Sequence, residues 1–437
     1  MSIFKAYDVR GVYGTELTGV EAERIGRAYG SAYSDGVTTV GRDTRTSGPL
    51  LEEAFLKGVL STGCSVDEYG VLPIPVISFV TWKDRRSGSA YISASHNPPE
   101  YNGIRFRTGD GYGLLYQESP IMERYRDGTF SSGQGTLNRL DAAAAIERYG
   151  EFIGERIHLD RNICVVLDMG NGSAAGMAPV YERVGCRTIV QYGEMDGTFP
   201  GRGARPTEGS LAASARTVVE HKADFGVGFD PDADRGIVID DRGRVLSPEK
   251  VAIILAMRRY RSGDLVISGF DCSMVLEERL LPLGFRVMRE RVGDVFIANR
   301  VKNESAVLGV ERSGHFFLPE FQYSDDPFAM SLALAEIVSG GERLSELADA
   351  IPDFPYIEHS VQLTAPTELV MARLAEKLAR FEPDTTDGLK VTAEDHAVLV
   401  RPSNTEPKIR LYVEARRGDV NALKEEYEHL VIEAMRI

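Results

Sequence analysis

A serine in a proline-flanked turn is the first residue in this sequence that suits covalent chemistry. Ser95 and His96 lie between two short apolar stretches that alternate like strands, one ending at Ile92 and one beginning at Ile104. Pro98 and its neighbour lack an amide hydrogen and fix the backbone, so the turn is rigid and cannot be helical. A hydroxyl presented on such a turn suits a nucleophile. The same residues also suit an ordinary Asn-Pro turn with a capping serine.

Three carboxylates follow another apolar stretch. Asp230, Asp232 and Asp234 alternate with other residues directly after a strand-like run, and oxygen ligands at this spacing can converge on Mg²⁺ or Ca²⁺. An EF-hand loop does not fit, because Arg235 stands where that loop needs glycine and Asp241 where it needs glutamate. A solvated acidic turn is the alternative. The mutual repulsion of three close carboxylates favours a bound cation.

Two further polar loops follow strand-like segments. Glu311, Ser313 and His315 offer donors and acceptors for sugar hydroxyls, although a plain turn with a hydrogen-bonded histidine explains them equally well. Residues 401–408 combine an arginine, two hydroxyls, an amide and exposed backbone N–H groups. Such a set of donors suits a phosphate, and a simple connecting loop does not require it.

Alternating strands and helices must position these loops. A strand-like run at 37–40 lies between helical patterns at 20–33 and 49–60, and the pattern restarts at 163–167 and again at 264–268. This alternation implies α/β sheets, in which ligands collect at the strand ends. Arg10, Arg42 and Arg45 add cations near the first strands, where arginines are often simply solvated.

We therefore predict three similar α/β units followed by a smaller α+β domain. Turn-rich residues 127–135 and proline-rich residues 351–355 mark two of the boundaries. The last part contains short strands and a long final helix, and its size is ordinary for a domain. The predicted domains are residues 1–137, 138–246, 247–352 and 353–437.

Composition limits the possible partners. The chain has 437 residues, of which 43% are hydrophobic and 26% charged, as in ordinary globular proteins. A formal charge of −15 argues against nucleic acid or an anionic membrane as the main partner. The N-terminus lacks the apolar run of a signal peptide, and no stretch reaches the ~20 apolar residues of a membrane span. The four cysteines are far apart, so we expect buried thiols in a reducing cytoplasm.

Taken together and in this order, the four loops resemble those of the α-D-phosphohexomutase family. The motifs are Ser-His-Asn-Pro, Asp-x-Asp-x-Asp-Arg, Glu-x-Ser-Gly-His and Arg-x-Ser-Asn-Thr-x-Pro, and the resemblance spans residues 7–408. It implies four domains around a central cleft, the first three with mixed α/β sheets. It also implies a phosphosugar substrate and conversion of a hexose 1-phosphate to a hexose 6-phosphate. A hexose 1,6-bisphosphate would be the intermediate and the activator.

The resemblance also implies a role for each loop. Ser95 would carry the phosphoryl group as phosphoserine, and a phosphoserine oxygen would complete a Mg²⁺ site made by the three aspartates. The residues near the reacting phosphate would be Arg10, His96 and Arg235. The residues that hold the sugar and the non-reacting phosphate would be Glu311, Ser313, His315, Arg401, Ser403, Asn404 and Thr405.

The sequence departs from the family pattern at several positions. Arg105 stands where some members have a lysine that is a proposed acid/base, and arginine is a poor base because it stays protonated. We expect Arg105 to stabilise charge, and His96 and His315 are candidates for the base. Residues 291–294 resemble the glucosamine-mutase version of their loop, whereas Asn404 stands where glucosamine mutases usually carry glycine.

These features favour a phosphomannomutase/phosphoglucomutase that acts on mannose or glucose phosphates, with phosphoglucosamine mutase as the alternative. A metal-dependent phosphatase with a phosphoserine intermediate is a different class. Such an enzyme would usually use a histidine-rich metal site, whereas this chain has only seven histidines and its candidate metal ligands are all aspartates. A non-catalytic sugar-phosphate binder is a third class. The sequence does not indicate whether the protein is a monomer or a homo-oligomer.

Overall fold

The computed structural model describes residues 3–5, 8–34, 36–115, 119–403 and 407–436. Its first part forms a sheet of six strands. The strands are β1 (Val9–Val12), β2 (Val37–Arg42), β3 (Ser65–Val71), β4 (Gly88–Ile92), β5 (Tyr101–Thr108) and β6 (Leu137–Arg139). The helices are α1 (Gly19–Ala32), α2 (Gly48–Leu60), α3 (Ile74–Lys83) and α4 (Ile121–Asp127). The strand order is β1-β5-β4-β2-β3-β6, with β5 antiparallel to both of its neighbours.

The second and third parts each form a sheet of four strands. The second comprises α5 (Ala142–Gly154), β7 (Ile163–Asp168), α6 (Ala178–Arg183), β8 (Cys186–Gln191), α7 (Ala212–His221), β9 (Phe225–Phe229) and β10 (Gly236–Asp240). The third comprises α8 (Pro248–Arg259), β11 (Leu265–Gly269), α9 (Val275–Leu280), β12 (Arg286–Glu290), α10 (Asp294–Asn303), β13 (Leu308–Val310), β14 (Phe316–Phe317), α11 (Pro327–Ser339) and α12 (Leu344–Asp349). Their strand orders are β10-β9-β7-β8 and β12-β11-β13-β14.

The C-terminal part is built differently. It comprises β15 (Tyr356–Gln362), α13 (Thr367–Leu378), β16 (Leu389–Thr392), β17 (His396–Pro402), β18 (Lys408–Ala415) and α14 (Val420–Met435). The strand order is β15-β18-β17-β16, and all three pairs are antiparallel. The first three sheets combine parallel and antiparallel pairs. The predicted fold class, three α/β units with mixed sheets and a smaller α+β domain, is therefore confirmed.

The three mixed sheets share one arrangement. In each, one strand has a parallel neighbour on one side and an antiparallel hairpin partner on the other. These strands are β4, β9 and β13, and their hairpin partners are β5, β10 and β14. Each of the first three polar loops predicted from the sequence connects one of these hairpins. The repeated topology thus places all three loops at the equivalent sheet position, the carboxyl end of an inner strand.

Two helices illustrate how the structure goes beyond the sequence predictions. After β7 the chain forms a short 3₁₀ turn and then α6, because Pro179 has no N–H to donate four residues back and therefore suits only the first turn of a helix. Helix α3 was not predicted. Nearly all of its residues are buried, so it lacks the one-sided apolar periodicity that reveals a surface helix.

The apolar core divides the molecule unequally. One continuous cluster of buried side chains runs through elements of the first three parts, from Tyr69 to Ile351, and the first part has a second cluster that includes α1 and α2. The C-terminal part has its own core between its sheet and its helices. A small cluster of Phe270, Leu399 and Tyr412 joins it to the third part. The first three parts therefore form one packed frame, to which the C-terminal part is attached.

Two further features of the fold concern the cysteines and the longest helices. All four cysteines are buried and unbonded. Among the described residues, no helix is both long and apolar enough to span a bilayer.

Candidate active site

Ser95 lies just beyond β4 in a strained and buried turn. Its φ is +50°, in the left-handed region that residues with a side chain rarely adopt. The residue is 1% exposed. Its hydroxyl donates to Asp230 Oδ2 at 3.0 Å and lies 3.3 Å from His96 Nδ1. The folded chain therefore brings together the serine and the acidic loop, which are far apart in sequence.

Two buried side chains at the end of β2 support this turn. The guanidinium of Arg45 donates to the carbonyl oxygens of Ser95, Asn97, Pro98 and Tyr101 at 2.5 to 2.9 Å. Its Nε also donates to Asp43 Oδ2 at 3.0 Å. Arg45 is 0% exposed, so it is not the solvated surface cation that the sequence left open. Arg45 therefore holds the Ser95 turn in place by binding the backbone carbonyl groups of that turn.

Ser93 connects this turn to the acidic loop. Its Oγ accepts from the backbone N–H of Ser95 at 2.8 Å and lies 2.8 Å from Asp43 Oδ2 and 3.0 Å from Asp232 Oδ2. Burial raises the pKa of Asp43 to about 6, partly offset by Arg45. Sequence reasoning did not single out Ser93 or Asp43. Their one local signal was position, since both lie at the ends of adjacent parallel strands.

The acidic loop between β9 and β10 has the properties of a cation site. Asp230, Asp232 and Asp234 are each 0% exposed, and each offers an oxygen within 4.8 Å of the others. One carboxylate oxygen each of Asp232 and Asp234 is buried without a hydrogen-bond partner. Burial and the two neighbouring carboxylates raise the pKa of Asp230 well above its usual value. A buried, partly unsatisfied set of oxygens fits a hard divalent cation such as Mg²⁺.

Arg105 on β5 joins three parts of the chain. One terminal nitrogen donates to Asp234 and the other to Asp294 at the start of α10, and Asp232 lies 3.6 Å away. Arg105 is 6% exposed. Its guanidinium faces carboxylates on both sides, an arrangement that neutralises charge and does not suit a base. The predicted role in stabilising charge is compatible with this geometry.

The predicted residues near the reacting phosphate lie together. Arg235 donates through one terminal nitrogen to His96 Nδ1 and through Nε to His315 Nε2 at 2.8 Å. Arg10 on β1 donates to Asn97 Oδ1 at 2.7 Å in the Ser95 turn. Arg235, then burial and Arg10, lower the pKa of His96 far below its usual value. His96 is therefore neutral, and it is a weak base.

The loop between β13 and β14 places the predicted sugar residues beside this group. Glu311 Oε2 accepts from Ser313 Oγ at 2.8 Å and lies 3.7 Å from His315 Nε2. The other ring nitrogen of His315 lies 3.2 Å from Asp325 Oδ2. Asp325, which sequence reasoning missed, stands just before α11 and also pairs with an arginine of β5.

Two of the predicted phosphate residues can be placed. Arg401 ends β17 together with Pro402, and its Nε lies 2.9 Å from Asp387 Oδ1. The backbone N–H of Ser403 donates to Lys408 O at 2.9 Å. Asn404 and Thr405 lie outside the described residues.

Comparison with known proteins identifies the same architecture. The sequence matches four profiles described as phosphoglucomutase/phosphomannomutase alpha/beta/alpha domain I at residues 1–132, domain II at 147–243, domain III at 247–354 and the C-terminal domain at 361–429. A phosphoglucomutase/phosphomannomutase of Thermococcus kodakarensis is 33% identical over 95% of this chain and 94% of its own length. A probable phosphoglucosamine mutase of Methanothermobacter thermautotrophicus is 34% identical over 95% of this chain and 94% of its own length.

Solved structures agree. A phosphoglucomutase/phosphomannomutase family protein from Burkholderia thailandensis superposes with a TM-score of 0.88 at 28% identity, covering 99% of this chain and 97% of that one. A putative phosphomannomutase from Thermus thermophilus superposes with a TM-score of 0.83 at 26% identity, covering 98% of each.

Proposed function

Because the chain belongs to the phosphoglucomutase/phosphomannomutase family, and is thus a phosphohexomutase, we propose that it interconverts the 1- and 6-phosphates of glucose or mannose through a phosphorylated Ser95. The observation that carries the proposal is the hydrogen bond from Ser95 Oγ to Asp230 Oδ2 at 3.0 Å. It puts the one predicted phosphoryl carrier against a buried acidic cluster that fits a divalent cation. A phosphoryl group on Ser95 and a cation held by the aspartates would attract each other.

The proposed reaction moves one phosphoryl group in each half of the cycle. The P–O bond to Ser95 Oγ breaks, and a P–O bond to the 6-hydroxyl of a hexose 1-phosphate forms. The proton lost by that hydroxyl is balanced by the proton that Ser95 Oγ gains. The resulting 1,6-bisphosphate returns its 1-phosphoryl group to Ser95 and leaves as the 6-phosphate. A trace of bisphosphate would activate the enzyme by phosphorylating Ser95.

The residues of the site have separate tasks in this proposal. Mg²⁺ held by Asp230, Asp232, Asp234 and an oxygen on phosphorylated Ser95 would supply positive charge for the transferred group. Arg10 and Arg235 would hold the reacting phosphate, and neutral His96 would accept a hydrogen bond beside it. The sugar and the non-reacting phosphate would be held by Glu311, Ser313, His315, Arg401, Ser403, Asn404 and Thr405.

Substrate choice is the finer part of the proposal. The relatives carry both names, phosphoglucomutase/phosphomannomutase and phosphoglucosamine mutase. Asn404, which lies outside the described residues, supports a neutral sugar. Phosphoglucosamine mutase activity is the alternative.

A substrate panel tests the proposal directly. Purified protein with Mg²⁺ and a trace of glucose 1,6-bisphosphate is given glucose 1-phosphate, mannose 1-phosphate or glucosamine 1-phosphate, and phosphorus NMR follows the 6-phosphates. We expect turnover of the glucose and mannose compounds. Exclusive turnover of the amino sugar would refute our substrate assignment, and release of inorganic phosphate faster than isomerisation would indicate a phosphatase.

A variant pair tests the role of Ser95. Ser95→Ala should abolish isomerisation of glucose 1-phosphate, because no other group in the proposal accepts the phosphoryl. Ser61→Ala, which alters an exposed serine at the end of α2, is the control and should retain wild-type activity. Retained activity in Ser95→Ala would rule out the phosphoserine route.

A further inference from the structure

One carboxylate joins the Arg401 loop to the third part of the chain. Asp387 Oδ1 and Oδ2 each lie 2.9 Å from Arg401 Nε. The backbone N–H of Val292 donates to Asp387 Oδ2 at 2.9 Å. The side chains of Arg401 and Asp387 are 14% and 18% exposed, so this contact is largely shielded from water. Asp387 therefore holds an arginine of its own domain and the backbone of another.

A tight turn fixes Asp387 in place. Asp384 Oδ1 accepts from the backbone N–H and the hydroxyl of Thr386 at 2.9 and 2.7 Å. Gly388 has a φ of +94°, and a Cβ there would lie 2.4 Å from Val400 O. The turn thus requires glycine and lies directly against β17, the strand that carries Arg401. The carboxylate of Asp387 is held by its backbone as well as by its partners.

The other side of this contact leads towards the acidic loop. Val292 lies two residues before Asp294, which accepts from Arg105, and Arg105 also donates to Asp234. A series of polar contacts therefore connects Arg401 in the C-terminal domain to the acidic loop between β9 and β10. Residues 291–294 are its middle link.

We propose that Asp387 is a positioning residue that orients the guanidinium of Arg401 for the non-reacting phosphate and fixes the C-terminal domain against residues 291–294. The inference rests on the proposed function, in which Arg401 binds that phosphate. Asp387 contacts the Nε side of the guanidinium, and the terminal nitrogens are the groups that would meet the ligand.

In a competing interpretation, Asp387 occupies Arg401 in the absence of ligand, and the phosphate displaces it from the guanidinium. The contact with Val292 argues against it, because displacement would also break a hydrogen bond between two domains. The two interpretations predict opposite changes in affinity. Removing a positioning carboxylate weakens phosphate binding, whereas removing a competing anion strengthens it.

Asp387→Asn tests the inference through steady-state kinetics with glucose 1-phosphate. We expect KM to rise about tenfold with kcat within about threefold of wild type, because a phosphate grip acts equally in the ground state and the transition state. We also expect faster proteolysis in linker residues 351–355, because the domain is less firmly attached. Should Asp387→Asn fold poorly, Asp387→Glu displaces the same charge and should raise KM in the same way.

Two further variants separate the possible outcomes. Glu376→Gln changes an exposed carboxylate on α13 of the same domain and should leave KM unchanged. Arg401→Ala should raise KM at least as much as Asp387→Asn. An unchanged KM in Arg401→Ala overturns the proposed phosphate role and this inference with it. If Arg401→Ala raises KM and Asp387→Asn leaves it unchanged or lowers it, only the positioning role of Asp387 is refuted.

Discussion

Replacing Arg45 by lysine should release the Ser95 turn while keeping the positive charge. The guanidinium makes five recorded contacts, four with backbone carbonyls of the turn and one with Asp43. A lysine ammonium has three donors, so at least two contacts are lost. At about 1.5 to 3 kcal/mol for each hydrogen bond to a charged group, the loss is about 3 to 6 kcal/mol. The turn also stores about 1 to 2 kcal/mol of strain at Ser95, which favours relaxation.

Hydrogen exchange read by mass spectrometry measures this loss where it occurs. Amides in a peptide covering residues 95–101 should exchange roughly 10²- to 10⁴-fold faster in Arg45→Lys, because about 1.4 kcal/mol corresponds to tenfold. The mutase kcat should fall about 100-fold, since a nucleophile displaced by about 1 Å reacts that much more slowly.

The matched control is Arg27→Lys, which changes an exposed arginine stacked on Phe130 and should alter neither exchange in this peptide nor kcat. Wild-type exchange at residues 95–101 in Arg45→Lys would show that the carbonyl contacts do not hold the turn. Faster exchange with an unchanged kcat would show that the turn's order is not needed for phosphoryl transfer.

Three further predictions concern buried charges. Arg105→Lys keeps a cation but loses the two separate terminal nitrogens that reach Asp234 and Asp294. Urea unfolding should therefore show a loss of about 3 kcal/mol, and kcat should fall at least about tenfold; wild-type values would mean that position 105 needs only a charge. Asp232→Asn should lower kcat by about 10² to 10³ and weaken Mg²⁺ binding in calorimetry, and unaltered Mg²⁺ affinity would contradict the metal role. Burial lowers the pKa of Lys390 from 10.5 to about 7. Between these two pH values Lys390 therefore carries a proton in the unfolded chain and not in the folded chain. Wild-type stability relative to Lys390→Met should then rise by about 1.4 kcal/mol per pH unit above pH 7, and a constant difference between pH 7 and 9 would refute this.

The sequence revealed the parts of the site that are local. The hairpin loops carry their chemistry in a few consecutive residues, so Ser95 and the three aspartates could be proposed from their local pattern, and Glu311 through the resemblance of the four loops to a family. Strand alternation also sufficed for the fold class, because burial of one or both sheet faces is a local pattern. The proposed roles of these residues remain predictions for the experiments above.

The supporting contacts could not be predicted in the same way. Arg45 and Ser95 are 50 positions apart, Val292 and Asp387 are 95 apart, and Arg105 and Asp294 are 189 apart. Nothing in the spacing of such residues indicates that they meet, since the contacts depend on the packing of whole sheets. Arg45 illustrates the difficulty, because a buried arginine that binds carbonyl groups has the same sequence signature as a solvated one.

The separate core of the C-terminal domain suggests why the residues that would bind the non-reacting phosphate belong to that domain. Ser95, the acidic loop and Glu311 are mounted on three sheets that share one continuous core, so their mutual distances can stay fixed while a phosphoryl group moves. The proposed reaction, however, requires the bisphosphate to reorient in the site between its two half-cycles. The residues that hold its non-reacting phosphate must first release it. Arg401 stands on a domain with its own core, attached through the small Phe270 cluster and contacts such as that of Asp387 with Val292. Polar contacts such as Met274 N–H to Glu414 and Lys390 Nζ to Phe270 O add to this attachment, so a release of Arg401 would break contacts between domains and leave the shared core of the transfer site intact.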